Sequence, residues 1–299
     1  MKWRRLGRIF CPDGSTDWMR THASTPVVEL LGGSHIRVFF SGRDVRSRSS
    51  IACFEFDVRR PGQAPKVIGF PLVTPGVAGF FDDSGASMGC LVRVERTRYL
   101  YYVGWNLGVT VPWRNSIGLA ISEDDSLVFQ KVSDAPLLDR SHDDPYSLSY
   151  PWITRDGGLW RMWYGSNTSW GPTTDSMRHV IKYAESTDGV TWDRRSEPVL
   201  PLLPGETAVA RPCVIDEAEG LRMWYSARDQ RYRIRSATSS DGLSWLRSNE
   251  GGLEPSGEPG WDSEMVAYPC VFTLDGETFM LYNGNGYGRT GIGLAIRDD

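Results

Sequence analysis

The chain has 299 residues, 40% of them hydrophobic and 23% charged, the composition of an ordinary globular protein. Its net charge of −4 gives no electrostatic pull toward nucleic acid or an acidic membrane surface, so neither is expected as a partner. No apolar run reaches the about 18 residues that a membrane-spanning helix needs.

Lys2, Arg4 and Arg5 open the chain, but Arg8, Pro12 and Asp13 interrupt any signal-peptide core behind them, and a cytoplasmic location is expected. The five cysteines, Cys11, Cys53, Cys90, Cys213 and Cys270, form no CxxC pair. Cys90, Cys213 and Cys270 recur at one place of a repeat and read as small buried hydrophobes, with no metal or cofactor expected. Basic charge is almost all Arg, the residue whose fork suits carboxylates and phosphates. The 12 Trp, 12 Tyr, 32 Gly and 18 Pro suit many short strands joined by turns.

In chain order, a first strand at 3–9 stands alone. Then comes an entry at 20–28 (RTHASTPVV), polar at its start, with a Pro before an apolar strand. It is followed by strands at 36–42, 50–54 and 71–73. The second entry, 81–92 (FDDSGASMGCLV), has Met88 where the others have Pro, and strands follow at 99–104, 116–120 and 136–138. The third is 143–153 (DDPYSLSYPWI), with strands at 159–166, 181–185 and 198–200. Residues 167–178 read as a loop over one face. The fourth is 206–215 (ETAVARPCVI), with strands at 221–227 and 233–237. The fifth is 261–272 (WDSEMVAYPCVF), with strands at 279–284 and 291–295. Two third strands end in Ser-x-Asp-Gly-x-x-Trp, at 186–192 and 239–245, and Asp-Gly is a strong hairpin signal. Phe40, Tyr102, Tyr164, Tyr225 and Tyr282 mark a period of about 60 residues. The expected fold is all-β: one domain over 1–299, a five-bladed β-propeller with four strands per blade. The spare strand at 3–9 should complete the last blade.

In a propeller the first strands line the central channel, so their entries converge at one mouth. That gathers His22, Asp82, Asp83, Asp143, Asp144, Glu206, Arg211, Asp262 and Glu264. The second-strand ends add Arg43, Asp44, Trp105, Asn106, Ser166, Asn167, Arg228, Asp229, Asn283 and Asn285. Carboxylates whose surroundings split their pKa values serve acid–base chemistry, and aromatic faces beside amides suit sugar rings. Each also has a plain structural reading. Asp144 starts a turn, Glu264 beside Asp262 caps a turn or pairs with an Arg, His22 is hydrogen-bonded, and Arg211 braces blades through a buried pair. Trp163 and Trp224, mid-strand, read as packing; Trp105 and Trp170, on loops, are the better stacking platforms. The glycines of 283–288 do not follow a strand into a helix as a dinucleotide site requires.

The MWYG and MWYS strands (162–165 and 223–226), the two Asp-Gly hairpins and the acid-bearing entries resemble the five-bladed furanosidase superfamily. That group holds glycoside hydrolase families 43, 62, 32 and 68 and the mannoside phosphorylase family 130. FDDSG, DPYSLSYP, WDSEM and NGNGYG look like an uncharacterised bacterial subgroup of it. The resemblance implies a carbohydrate substrate and an inverting hydrolase with an Asp base, an orienting Asp and a Glu acid. It carries over to Glu264 as acid, with Glu206 as competitor, and Asp144 as the orienting Asp. The base position offers His22, with Asp17 upstream, which leaves the role to Asp83. Acid and base would stand roughly 6.5–9.5 Å apart. Two further readings remain. His22, Arg43, Arg211 and Arg228 at one mouth would suit a phosphorylase or transferase. A non-catalytic sugar-binding propeller would use the same pocket without proton transfer.

Overall fold

The structure, a computed structural model, describes residues 2–171 and 176–298. Its strands fall into antiparallel meanders that follow the sequence repeat. The first is β2 (Thr21–Gly32), β3 (His35–Arg43), β4 (Ser49–Asp57) and the two-residue β5 (Lys66–Val67). The second is β6 (Gly85–Val94), β7 (Thr97–Leu107), β8 (Trp113–Ser122) and β9 (Gln130–Lys131). The third is β10 (Leu148–Asp156), β11 (Leu159–Ser169), β12 (Arg178–Ser186) and β13 (Asp193–Arg194). The fourth is β14 (Ala208–Glu217), β15 (Gly220–Arg228), β16 (Tyr232–Ser239) and β17 (Leu246–Leu253). The last is β18 (Ala267–Leu274), β19 (Glu277–Asn283) and β20 (Ile292–Asp298). The spare N-terminal strand β1 (Lys2–Phe10) adds to β20, from Lys2 opposite Asp298 to Phe10 opposite Ile292.

Neighbouring meanders meet mostly through side chains. Single parallel contacts join Ser49 to Gly85 and His179 to Ala208. Elsewhere a side chain of one meander is bonded into the next. Tyr101 donates to Gly189 O (2.8 Å), Trp163 to Gly242 O (2.8 Å), and Trp3 to Gly251 O (2.8 Å). Gly189 and Gly242 sit in the two Asp-Gly turns. Asp188 and Asp241 close these turns by accepting two backbone N–H groups each, which holds both carboxyls down at about 2. β18 and β19 pack against β2, so the last meander lies beside the first. Trp152 of β10 reaches the apolar clusters of four neighbourhoods and marks the centre around which the meanders gather. No helix among the described residues is long and apolar enough to cross a membrane.

Three sequence expectations are corrected. The fourth strands of the first three meanders are the short β5, β9 and β13, while the segments at 71–73, 136–138 and 198–200 add only isolated bridges, Val73 to Ile51, Leu138 to Ile117 and Leu200 to Ile181. The leading prolines of those segments have no N–H to extend a ladder. In the second entry Gly89, not Met88, stands at the Pro position. A Cβ there would lie 2.5 Å from Tyr101 O and 2.8 Å from Pro151 Cγ, so only glycine fits. The expected loop at 167–178 is shorter than that, because β11 runs on to Ser169; its residues 172–175 lie outside the described residues.

Candidate functional site at the meander entries

Each first strand bulges at the entry, and the bulges converge. The register shifts fall between Ser24 and Val27, Met88 and Cys90, Ser149 and Trp152, Ala210 and Cys213, and Ala267 and Cys270. Four of the bulged residues precede a proline and have positive φ: Thr25 (53°), Tyr150 (48°), Arg211 (54°) and Tyr268 (58°). That backbone state is uncommon for non-glycine residues and is held here by the surrounding sheet. The bulge N–H groups bond across to the neighbouring meander. Thr25 N–H donates to Asn283 Oδ1 (2.8 Å), Met88 N–H to Ser41 Oγ (2.7 Å) and Tyr268 N–H to Ser226 Oγ (2.8 Å). Asn283 also donates to Ala23 O and Gly291 O. It is fully buried and therefore a brace between meanders, not a substrate contact.

Thr25, Met88, Tyr150, Arg211 and Tyr268 thus form the bulge ring, and none is a carboxylate. Tyr150 and Tyr268 share a hydroxyl contact of 3.0 Å. Tyr287, 41% exposed on the turn Asn285–Gly288, packs against Tyr268 and Tyr232 at 6.4 and 5.8 Å between ring centroids. Burial raises the Tyr150 and Tyr268 phenols, so this aromatic floor is neutral.

The acidic residues of the entries go elsewhere. Asp82, Asp144 and Asp262 are buried, and each accepts a hydrogen bond from a tyrosine twenty positions later: Tyr102 (3.1 Å), Tyr164 (3.0 Å) and Tyr282 (3.0 Å). Each also meets a cation on the outermost strand of its meander: Lys131 at 2.5 Å, Arg194 at 3.2 Å and Arg5 at 2.9 Å. Glu206, partly exposed, is held by Arg247 (2.9 Å), which lies over the Tyr225 ring, and by the Leu203 N–H (2.9 Å) in place of a tyrosine hydroxyl. These carboxylate–tyrosine–cation clasps hold each meander together. Asp144, with Lys182 and Ser166 also on it, has no face left for substrate; Glu206 is likewise bound into its clasp.

The remaining candidates sort by what they touch. Asp83 accepts from Gly79 N–H (3.0 Å), Ser84 Oγ (2.9 Å) and Asn106 Nδ2 (2.7 Å). Burial opposes its charge, but these bonds outweigh it and keep the carboxyl below its ordinary value. Asp44 accepts from the N–H groups of Arg46 and Arg48 and closes a loop. Trp105 is pinned by Ser49 Oγ (2.8 Å). Arg228, almost buried, donates to Thr207 Oγ1 (2.8 Å) and Met177 O (3.2 Å) and lies over Tyr232. Asn285 accepts the N–H groups of Glu264 (2.8 Å) and Met265 (3.1 Å), so its amide shapes the turn. The Glu264 carboxylate is exposed and has no ion-pair or hydrogen-bond partner among the described residues. Asp143 meets His142 at 3.2 Å.

Two groups of side chains remain, the first with a single side-chain hydrogen bond, between His22 Nδ1 and Thr21 Oγ1 at 2.9 Å. His22, at φ 61°, is half-buried between Arg43 and Arg289; burial and those two cations press its imidazole down to about 4. Neither arginine has an ion pair among the described residues. Ser24 Oγ donates to Tyr287 O, which fixes the turn over the start of β2. That turn therefore carries Asn285 under Glu264 at one end and Arg289 beside His22 at the other. The second group lines β10–β12. Among the described residues, both amide atoms of Asn167, His179 Nδ1, Ser149 Oγ and Trp170 Nε1 are buried without hydrogen-bond partners. Burial, with Arg228 nearby, holds His179 down at about 3, so it is neutral. Trp113 packs edge-on against Trp170 at 5.5 Å.

The sequence reading missed Tyr150, Tyr268, Tyr287, Ser149, His179, Trp113 and Arg289. The Thr-Pro, Tyr-Pro, Arg-Pro and Tyr-Pro steps at one place of four of the five repeats were the available signal for the bulge ring. Among the described residues, no three His, Cys, Asp or Glu side chains gather as metal ligands.

No family model matches the sequence. Two Mycobacterium tuberculosis proteins, uncharacterized protein MT1551 of strain CDC 1551 / Oshkosh and uncharacterized protein Rv1502 of strain ATCC 25618 / H37Rv, are each 48% identical over 301 aligned residues. Both alignments cover the full length of both proteins. Among solved structures, BT0996 in its RGII complex superposes with a TM-score of 0.78 at 18% identity, covering 99% of this protein and 91% of that one. A member of the GH130 family of mannoside phosphorylases, which contains glycoside hydrolases targeting β-1,2 mannosidic linkages in Candida mannan, gives 0.73 at 13%, covering 99% and 94%. A thermostable family-43 glycoside hydrolase gives 0.66 at 19%, covering 92% and 89%. At these identities the likeness shows the fold, and the resemblance read from the sequence holds at that level. The fold is that of the propeller glycosidases, and the chain belongs to the family of the mycobacterial proteins MT1551 and Rv1502.

Proposed function

We propose that the meanders are the five blades of one propeller domain and that its entry face cleaves a glycoside by phosphorolysis. The observation that carries this reading is the Glu264 carboxylate, uncommitted among the described residues and joined by the turn Asn285–Gly288 to two arginines without ion pairs, Arg43 and Arg289, that flank the neutral imidazole of His22. Hydrolysis by two carboxylates needs a second free one, and the clasps have taken Asp82, Asp144, Glu206 and Asp262. Phosphate needs no protein base. Held by Arg43, Arg289 and His22, it would attack the anomeric carbon through an oxygen, while Glu264 protonates the departing glycosidic oxygen. The tyrosine floor supplies an apolar face for a sugar ring. Asn167, His179 and Ser149 supply neutral donors and acceptors for its hydroxyls.

Hydrolysis is the second reading, favoured by Asp83, a fixed ionised carboxylate at the second entry. The test is turnover of aryl glycosides and mannose-, arabinose- and xylose-containing oligosaccharides, with and without phosphate. Sugar phosphate formed only when phosphate is present supports phosphorolysis. Equal release without phosphate, lost in Asp83→Asn, moves the assignment to hydrolysis. Sugar binding without turnover in either condition leaves a binding propeller.

A further inference from the structure

Arg211 is the largest charged side chain with no exposure at all. Its guanidinium is approached from every meander. Nη2 donates to Pro26 O of β2 at 3.2 Å, and the group lies over Trp152 of β10 at 5.7 Å. The thiols of Cys90 on β6, Cys213 on β14 and Cys270 on β18 are within its electrostatic reach. The cation therefore sits at the centre around which the meanders gather. Arginine stays protonated in proteins, and a buried charge with no counter-charge costs several kcal/mol after relaxation. Yet no carboxylate pairs with Arg211 among the described residues, and Nε and Nη1 have no hydrogen-bond partner. The surrounding groups are neutral in the main. Burial raises the phenols of Tyr150 and Tyr268 and the thiols of Cys90 and Cys213; Cys270 alone is lowered, chiefly by the S–H of Cys213.

We propose that the central channel is a built anion site, in which the free Nε–H and Nη1–H of Arg211 hold one small monovalent anion of halide size. The site lies beneath the bulge ring, and it goes beyond the glycoside-cleaving reading because it requires no substrate. The inward cysteines suit it, since thiols are soft, weakly polar walls that do not repel a polarisable anion. An anion here would act as a structural centrepiece, joining the charge of one blade to the backbone of the others. It would also explain why a residue with five fixed donors is tolerated where nothing acidic faces it.

Bromide is the probe. Crystals of the full-length wild type, grown in halide-free salt and soaked in bromide, should show an anomalous peak within hydrogen-bonding reach of Arg211 Nε and Nη1. In solution, replacing gluconate by bromide at constant ionic strength should raise the melting temperature by roughly 2–8 °C at saturation. Arg211→Met, similar in length and uncharged, should melt at the same temperature in both salts. A water at that position, bromide only at surface sites, or equal melting of the wild type in both salts would overturn the proposal. The crystallographic arm stands even if the Met variant does not fold. None of these readouts involves turnover, so failure here is separate from failure of the phosphorolysis assignment.

Discussion

Glu264 and Asp262 stand two positions apart, and the structure gives them opposite work. Asp262 is buried under Tyr282 and Arg5, whereas the Glu264 side chain is exposed. Glu264→Gln should therefore lower kcat on a poor leaving group by about 10²–10⁴-fold with the melting temperature unchanged, measured by steady-state kinetics and calorimetry. Two histidines make a second prediction. His22 is held down at about 4 and His179 at about 3, against an ordinary 6.5, first by burial in each case. In the unfolded chain both take up a proton near 6.5. Below that pH the unfolded state binds more protons, so stability falls as pH drops from about 6.5 toward 4. His179→Phe should flatten part of that slope, read from urea midpoints at pH 7 and pH 5; an unchanged slope would show that His179 is not buried neutral. At this scale the sequence was a partial guide. Adjacent acids such as Asp82 and Asp83 look alike in a string of letters. What separates them is the tyrosine twenty residues on, a spacing that was present but whose meaning depends on strand pairing.

At the scale of elements, the clasps and the bulges decide the energetics. Lys131 reaches from the two-residue β9 to the buried Asp82. Lys131→Met leaves that carboxylate unpaired in the interior and should cost about 3–5 kcal/mol by urea denaturation. The same substitution at Lys66, which meets the partly exposed Glu55 only at 3.9 Å, should cost under about 1 kcal/mol, so the pair of variants separates clasp from surface charge. Gly89→Ala should be worse than a routine strand substitution, because its Cβ would press on the Tyr101 carbonyl and the Pro151 ring. The strands themselves were legible, since alternating aromatic and branched residues between Gly- and Asp-rich turns carry their own signature. The bulges were not. The Thr25, Tyr150, Arg211 and Tyr268 backbones take positive φ before proline, against local preference, and at Thr25 and Tyr268 a side chain of the neighbouring meander accepts the N–H group.

On the scale of the whole molecule, β1 ties the two ends of the chain together. It adds Trp3 and Ile9 to apolar clusters and Arg5 to the Asp262 clasp. Removing residues 1–10 should abolish the cooperative thermal transition; a truncated protein that melts like the full-length one would refute the closing role. The sequence by itself determined the repeat, the all-β class and the pairing of the N-terminal strand with the last repeat. Those rest on periodicity and on counting strands, which are local properties. Tertiary structure alone decided which charges face the site. Four acid-bearing entries and a first one with His22 become four clasps, a buried Arg211 and a neutral tyrosine floor, with Glu264 exposed. The reason is that burial penalises an unpaired carboxylate. Each acid is drawn to whichever cation and hydroxyl the sheet brings within reach, and only the folded sheet determines which those are.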